Sequence, residues 1–358
     1  MVRRVLLTGA NGFIAQHILA AYLEDGHSVR GVVRSQAKAD QLASIFSKYP
    51  ASQLDFGVVP DITTPGAFDE VLKSSPPFDT VVHSASPFNF RKNSSNLEFL
   101  DPAVKGTTGI LKSIKAHAPT VRRVVLTSSF AAIVNGGAGK TNPPKVYDES
   151  DWNPVTWEQA LVSENMGLVY QASKKYAEKA AWDFVRDERP NFDLVALNPP
   201  LVLGPLYDPS AVARAADLPE SVFGIYASLA RPGLGPADPI VPGRVHLYVD
   251  VRDLARAHLL AAEVPAAGGR RFLLTAEQGN MTYQRAANIL RERVPELAAT
   301  VPRGEPDQAQ PEEGSYDGSG ALAREVLGLT FRAPEETIAD MGRQLVAFRE
   351  RAVAAGEK

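Results

Sequence analysis

The chain has 358 residues, with 38 basic against 41 acidic side chains, a net charge of −3, and 44% apolar residues. That length allows about two domains, and the composition is that of a globular protein rather than a disordered or fibrous one. Near-neutral charge leaves no basic footprint for nucleic acid or an anionic membrane, and the absence of cysteine excludes disulfides, thiolate metal sites, Fe–S clusters and cysteine nucleophiles.

The N-terminal apolar run breaks at Thr8-Gly9, and no stretch reaches roughly 18 apolar residues. Neither a secretory leader nor a membrane helix is therefore expected, and the cytoplasm is the default location. The six histidines (17, 27, 83, 117, 246, 258) show no HExxH-like spacing, so no metal is expected.

The first half alternates short β-branched runs with amphipathic stretches. Strands are expected at Arg4–Thr8, Ser28–Val33, Asp55–Val59, Thr80–His83 and Arg122–Thr127, with helices at Phe13–Glu24, Gln36–Ser47, Pro65–Lys73 and about Leu97–His117 between them. Such alternation predicts a doubly wound α/β fold with a parallel sheet and right-handed crossovers. The strands are nearly continuously apolar, as strands covered on both faces are. A longer helix follows at Leu168–Glu188, then a strand at Phe192–Leu197. From Asn198 to Pro242 the chain is rich in Pro and Gly, long enough to predict a lid or small helical insertion. Val245–Val249 is expected as a strand returning to the sheet, and Val251–Glu263 as a helix capped by Asp250. Beyond it come a strand (Arg271–Thr275), a helix (Thr282–Val294), a polar loop (Arg303–Ser319) and a helix at Pro334–Val353 with Pro at its first position.

The first strand runs into a G-x-x-G-x-x-A turn, Gly9 to Ala15, that opens a helix. Glycine lets the backbone approach a diphosphate, and a helix N-terminus offers unpaired N–H groups and a positive dipole end. Gly9, Asn11, Gly12, Phe13 and Ile14 are the expected cradle. A binder of NAD usually carries an acid at the end of its second strand, for the ribose 2′-OH. Here the strand ends in Val33-Arg34-Ser35-Gln36-Ala37-Lys38, and Arg34 lies 22 residues after Gly12. Two cations in a first helical turn oppose the helix dipole unless an anion accompanies them, and they suit the 2′-phosphate of NADP(H). Asp61 and Ile62 follow the third strand, where Asp61 is available to an adenine amino group because Thr64-Pro65 already supplies a cap. Ser84, Ala85 and Ser86 end the fourth strand with small side chains that leave room for the cofactor.

The fifth strand ends in Thr127-Ser128-Ser129, and Tyr170-Gln171-Ala172-Ser173-Lys174 opens the long helix. Residues four apart share a helix face. A phenol is a poor proton donor or acceptor near neutrality, and a neighbouring ammonium stabilises its phenolate. A strand-end serine can hydrogen-bond a substrate oxygen, and Thr127 joins the expected cofactor contacts. Tyr176 lacks a lysine partner, since residue 180 is alanine. Val134–Thr141 is a P-loop lookalike without its first glycine, followed by Pro143-Pro144, which no P-loop helix tolerates.

Together, TGANGFIAQH (8–17), Arg34-Ser35-Gln36 with Lys38, Val59–Ile62, Ser84–Phe88, VVLTSS (124–129), Tyr170–Lys174, AEKAAW (177–182), Asn198-Pro199 and DVRDLARAH (250–258) carry a resemblance over nearly the whole chain. The sequence resembles the extended short-chain dehydrogenase/reductases, in the dihydroflavonol-reductase-like branch, near the fungal NADPH-dependent methylglyoxal/3-methylbutanal reductases. The resemblance implies a Rossmann domain over residues 1–200, with 244–263 returning to it, and a substrate lobe from 201–243 and 264–358. It implies a Ser129, Tyr170, Lys174 triad: Tyr170 protonates the carbonyl oxygen, Ser129 polarises it, and Lys174 lowers the tyrosine pKa and binds the nicotinamide ribose. It also places Pro199 and Val202 beside the nicotinamide.

Apolar walls of the substrate pocket are expected from Phe88, Phe90, Phe130, Val162, Tyr207, Phe223 and Tyr226. They point to a small-molecule carbonyl substrate, an aldehyde, dicarbonyl or ketone. Two alternatives stay open: a dedicated reductase for one dihydroflavonol-type or other secondary-metabolite ketone, and a catalytically silent NADP(H)-sensing protein. An epimerase or sugar dehydratase favours NAD, against Arg34 and Lys38. Monomer and homodimer are equally compatible with the sequence.

Overall fold

A computed structural model of the chain describes residues 2–86, 95–243, 245–276 and 280–356. Its centre is a parallel sheet of seven strands, in the order β10-β7-β5-β4-β1-β2-β3. These strands are β1 (Arg4–Thr8), β2 (Ser28–Val33), β3 (Leu54–Val58), β4 (Thr80–His83), β5 (Arg123–Thr127), β7 (Asp193–Asn198) and β10 (Arg271–Leu273). Short pairs lie outside it: β6 (Val146–Tyr147) with β11 (Asp317–Gly318), and β8 (Leu201–Leu203) with β9 (Tyr248–Asp250).

The continuous apolar strands are explained by the two faces. Val5, Leu7, Val29, Val82, Val125 and Val195 belong to a core with α1 (Phe13–Glu24), α2 (Gln36–Ile45), α7 (Val251–Glu263) and α10 (Ala321–Leu327). Their neighbours Leu6, Val81, Val124 and Leu194 face the opposite core, with α3 (Leu97–His117) and α5 (Met166–Glu188). Successive side chains on a strand point to opposite faces, so both cores draw on the same short strands.

A smaller lobe has its own core, built from Leu203, Val222, Ile225 and Tyr248 with α6 (Glu220–Ile225), α8 (Tyr283–Arg293) and α11 (Pro334–Ala354). The short helices α4 (Trp157–Leu161) and α9 (Pro295–Ala298) complete the chain. The lobe is tied to the sheet through α7. Asp250 caps that helix by accepting from the Arg252 N–H at 2.8 Å, as its position predicts, and also accepts from the Thr337 hydroxyl of α11 at 2.8 Å.

Three sequence expectations are corrected. Pro65–Lys73 is a series of turns, not a helix: Gly66 sits at φ +73°, outside helical space. The strand expected at 245–249 is shorter, and it pairs with β8 instead of rejoining the main sheet. Conversely β10, expected in the substrate lobe, runs beside β7 as the sheet's edge strand, Phe272 opposite Leu197.

Candidate active site

The order of strands reverses between β1 and β4, whose following helices leave in opposite directions. In open α/β sheets that switch point is where a crevice opens at the strands' C-terminal ends. Here the two strand ends are laced together. The Ala85 N–H donates to the Thr8 hydroxyl oxygen at 3.1 Å, and Gly9 turns over Ala85 at φ +69°. A Cβ on Gly9 would lie 2.9 Å from the Ala85 Cα, so only glycine fits this turn. Gly12 follows as the N-cap of α1 and supplies no side-chain cap, which leaves the first N–H groups of that helix open to an external acceptor.

At the end of β2, Arg34 is exposed and makes no hydrogen bond or ion pair among the described residues, while Lys38 donates to Gln41 at 3.1 Å. Ser35, the N-cap of α2, likewise gives no side-chain cap. A glycine cradle, an uncapped helix start and an unpaired guanidinium fit a diphosphate with a further phosphate on its ribose. Asp61 spends one oxygen on Thr63, accepting from its N–H at 2.9 Å and its hydroxyl at 2.7 Å, which holds the carboxyl below its usual range. The Ile62 side chain reaches α3 at Gly106, where a Cβ would lie 2.9 Å from it.

Tyr170 and Lys174 lie on α5, started by Asn165, whose side chain accepts from the Gly167 N–H at 3.0 Å. Lys174 Nζ stands 5.8 Å from the Tyr170 ring centroid and donates to the Ser86 hydroxyl at 3.2 Å. Lys174 shares one small pocket with Ala85, Ser86, Thr127 and Ser128. The structure thus brings together the helix residues and the ends of β4 and β5. Ser129 is half-buried, and its Oγ accepts from the Ala131 N–H at 3.1 Å. Pro199 holds the adjoining turn by accepting from the Phe130 N–H at 2.9 Å, and Val202 is buried beneath it.

Two buried histidines brace the strand ends. The Thr8 hydroxyl and His83 Nδ1 share a hydrogen bond of 2.8 Å. His258 Nδ1 donates to the Leu254 carbonyl at 2.8 Å, so its Nε2 accepts from the Thr127 hydroxyl at 2.7 Å. Burial holds both imidazoles neutral, pushed down to about 4. The Thr127 proton is therefore committed to His258, and its oxygen keeps lone pairs for another donor.

The expected substrate walls differ in burial and surroundings. Phe130 is buried among Tyr147, Ile133, Leu247 and Leu273. Val162 is 82% exposed, and Tyr226 is buried in the lobe core, with Phe223 packed beside it. Tyr207 stacks on Phe46 with ring centroids 4.7 Å apart, and lines a cavity of about 410 Å³ with Asn11, Phe13 and Lys38. Phe88 and Phe90 lie outside the described residues. Tyr176 packs against Trp157 at 5.1 Å.

Among the described residues one trio, Asp25, His27 and Glu263, brings metal-competent atoms together. The Arg3 N–H donates to His27 Nδ1 at 3.1 Å, so Nε2 carries the proton and points it at the carboxylates, 3.3 Å away. That tautomer offers no lone pair to a metal. No helix among the described residues is long and apolar enough to cross a membrane.

Fold and site together define a dinucleotide-dependent α/β enzyme of the extended short-chain dehydrogenase/reductase class. The chain belongs to the NAD dependent epimerase/dehydratase family, whose model matches residues 5–274. It is similar to the ketoreductase azaE of Aspergillus niger, 42% identical over 341 residues, covering 95% of this chain and 96% of that one. The NADPH-dependent methylglyoxal reductase GRE2 of Saccharomyces cerevisiae is 37% identical over 357 residues, covering 97% and 99%. The crystal structure of yeast methylglyoxal/isovaleraldehyde reductase Gre2 with NADPH matches with a TM-score of 0.87 at 36% identity, covering 97% of this chain and 99% of that one.

Proposed function

We propose that this chain is an NADPH-dependent reductase that converts aldehydes or ketones to alcohols. The observation that carries the reading is the convergence of Tyr170, Lys174 and the ends of β4 and β5 beside the Gly9 turn. Relatives named as NADPH-dependent reductases support it, and so does the fit of the turn and of Arg34 to a dinucleotide bearing a 2′-phosphate. When bound, NADPH supplies the reducing equivalents for the carbonyl carbon. Gly9, Gly12 and the start of α1 hold its diphosphate, and Arg34 with Lys38 holds the 2′-phosphate. Tyr170 gives its proton to the carbonyl oxygen. The Lys174 ammonium stabilises the charge left on the phenol oxygen and turns from Ser86 to the ribose hydroxyls. Ser129 donates to the same carbonyl oxygen and fixes its direction.

The test is NADPH and NADH oxidation by purified protein with methylglyoxal, 3-methylbutanal, an aryl ketone, a β-ketoester and a dihydroflavonol, with Tyr170→Phe beside it. NADPH-preferring turnover of several carbonyls, lowered at least about a hundredfold in Tyr170→Phe, is expected from loss of the proton donor. Turnover of one bulky ketone alone would indicate a dedicated enzyme. NADPH binding without turnover on any substrate would overturn the reading.

A further inference from the structure

Glu178 is 1% exposed and lies four residues beyond Lys174 and eight beyond Tyr170, on the same face of α5. Four donors converge on its carboxylate. Oε2 accepts from the Ser128 hydroxyl at 2.5 Å and the Asn198 amide at 2.7 Å. Oε1 accepts from Arg271 Nε at 2.5 Å and from the Trp182 indole N–H at 3.2 Å. The Asn198 amide also donates to the Ser129 carbonyl oxygen at 3.1 Å. Arg271 is held in turn by the carbonyls of Glu149 and Asp151, at 2.7 and 2.9 Å, and stacks over Trp152 at 3.7 Å.

One carboxylate thus joins the helix of Tyr170 and Lys174 to the end of β5, to β7 and to β10, and reaches Ser129 through its neighbour Ser128 and through Asn198. Ser129 follows β5 and Tyr170 stands on α5, and both must reach one carbonyl oxygen. On the reading above, the distance between them is fixed at Glu178. We propose that Glu178 is a positioning residue for the reduction step: it sets Ser129 against Tyr170 and leaves the contacts to the cofactor's phosphates alone. A buried ion pair alone would be weak evidence for such a role, because many serve only the fold. The links to Ser128 and, through Asn198, to Ser129 give it a route to the reacting atoms. Among the described residues its hydrogen bonds go to Ser128, Trp182, Asn198 and Arg271 and none to the Gly9 turn, so the two functions separate.

Glu178→Gln keeps the size but sets an amide N–H against at least one of the converging donors. Misplacement of a reacting group by about 1 Å costs on the order of a hundredfold in rate. The expected result is a kcat lower by roughly ten- to a hundredfold, with the NADPH dissociation constant within about twofold of wild type. The isotope effect on kcat with NADPH deuterated at the transferred position should rise, a readout that a purely structural role would not move. Unchanged kcat in the folded variant overturns the proposal, as does an equal loss of kcat and NADPH affinity. Should Glu178→Gln not fold, Asn198→Ser carries the test: lower kcat with unchanged NADPH affinity supports the proposal, and unchanged kcat or an equal loss of both overturns it. Tyr170→Phe in the same assay separates the failures. An active Tyr170→Phe overturns the catalytic reading on which the proposal rests, whereas an inactive one beside a fully active Glu178→Gln overturns the proposal alone.

Discussion

Arg34 shows what one residue can say about a ligand. It stands exposed at the start of α2, unpaired among the described residues, where its charge opposes the helix dipole. A 2′-phosphate would reverse that sign, with a charge-assisted hydrogen bond worth about 1.5–3 kcal/mol. Arg34→Ala should therefore raise the NADPH KM by roughly ten- to a hundredfold and leave the NADH KM within about twofold. Steady-state kinetics with both cofactors would decide it, and an equal loss with each would show that the side chain does not read the phosphate. Tyr207, expected at the substrate, shows what a residue's number conceals. Its ring is claimed by Phe46 and by His17, whose ring centroid lies 5.6 Å away, a pairing between residues that sequence distance hides.

At the scale of the element, the Gly9 turn works because two strand ends are close. Gly9→Ala combines a φ of +69° with a Cβ 2.9 Å from the Ala85 backbone, so the turn must open. The expected cost is about 1–3 kcal/mol of stability together with more than tenfold weaker NADPH binding. Gly26 has a similar φ of +84° but open space around it. Gly26→Ala should cost about 1 kcal/mol and leave binding unchanged. Urea midpoints and NADPH fluorescence titrations on both variants make the comparison, and similar binding losses in both would contradict a specific role for the Gly9–Ala85 contact. The same glycine logic explains the missing helix after β3: Pro65 is a good first residue for a helix, but Gly66 at φ +73° stops it at once.

For the whole molecule, pH is the informative variable. His17, His83 and His258 are buried, and burial pushes each from 6.5 down to about 4. Between those values the unfolded chain binds protons that the folded chain refuses. Stability is therefore full above about pH 6.5 and falls as the pH drops toward 4. With about 1.4 kcal/mol per unit for each group, the three together remove several kcal/mol. His17 and His258 stand on α1 and α7, which share one face of the sheet, and His83 ends β4 within it, so the loss should be global and cooperative. Urea denaturation at pH 7 and pH 5 should show a clearly lower midpoint at pH 5, and equal midpoints would mean that these imidazoles take up protons in the native state.

Local chemistry was legible in the sequence wherever it depends on neighbours in the chain. The doubly wound parallel sheet follows from alternating apolar runs, the Gly9 turn from its spacing, the Asp250 cap from its place before α7, and the Tyr170–Lys174 face from helical period. Contacts between distant segments were decided only by the tertiary structure. It put Glu178 against Ser128, Asn198 and Arg271, residues separated by 50, 20 and 93 positions. It gave β10 to the main sheet and paired β9 with β8 instead. It gave Phe130 and Tyr226 their buried neighbours, left Val162 exposed and set Tyr207 beside Asn11 and Lys38. Periodicity reports which face of an element is apolar, but what that face meets depends on how the elements close on one another.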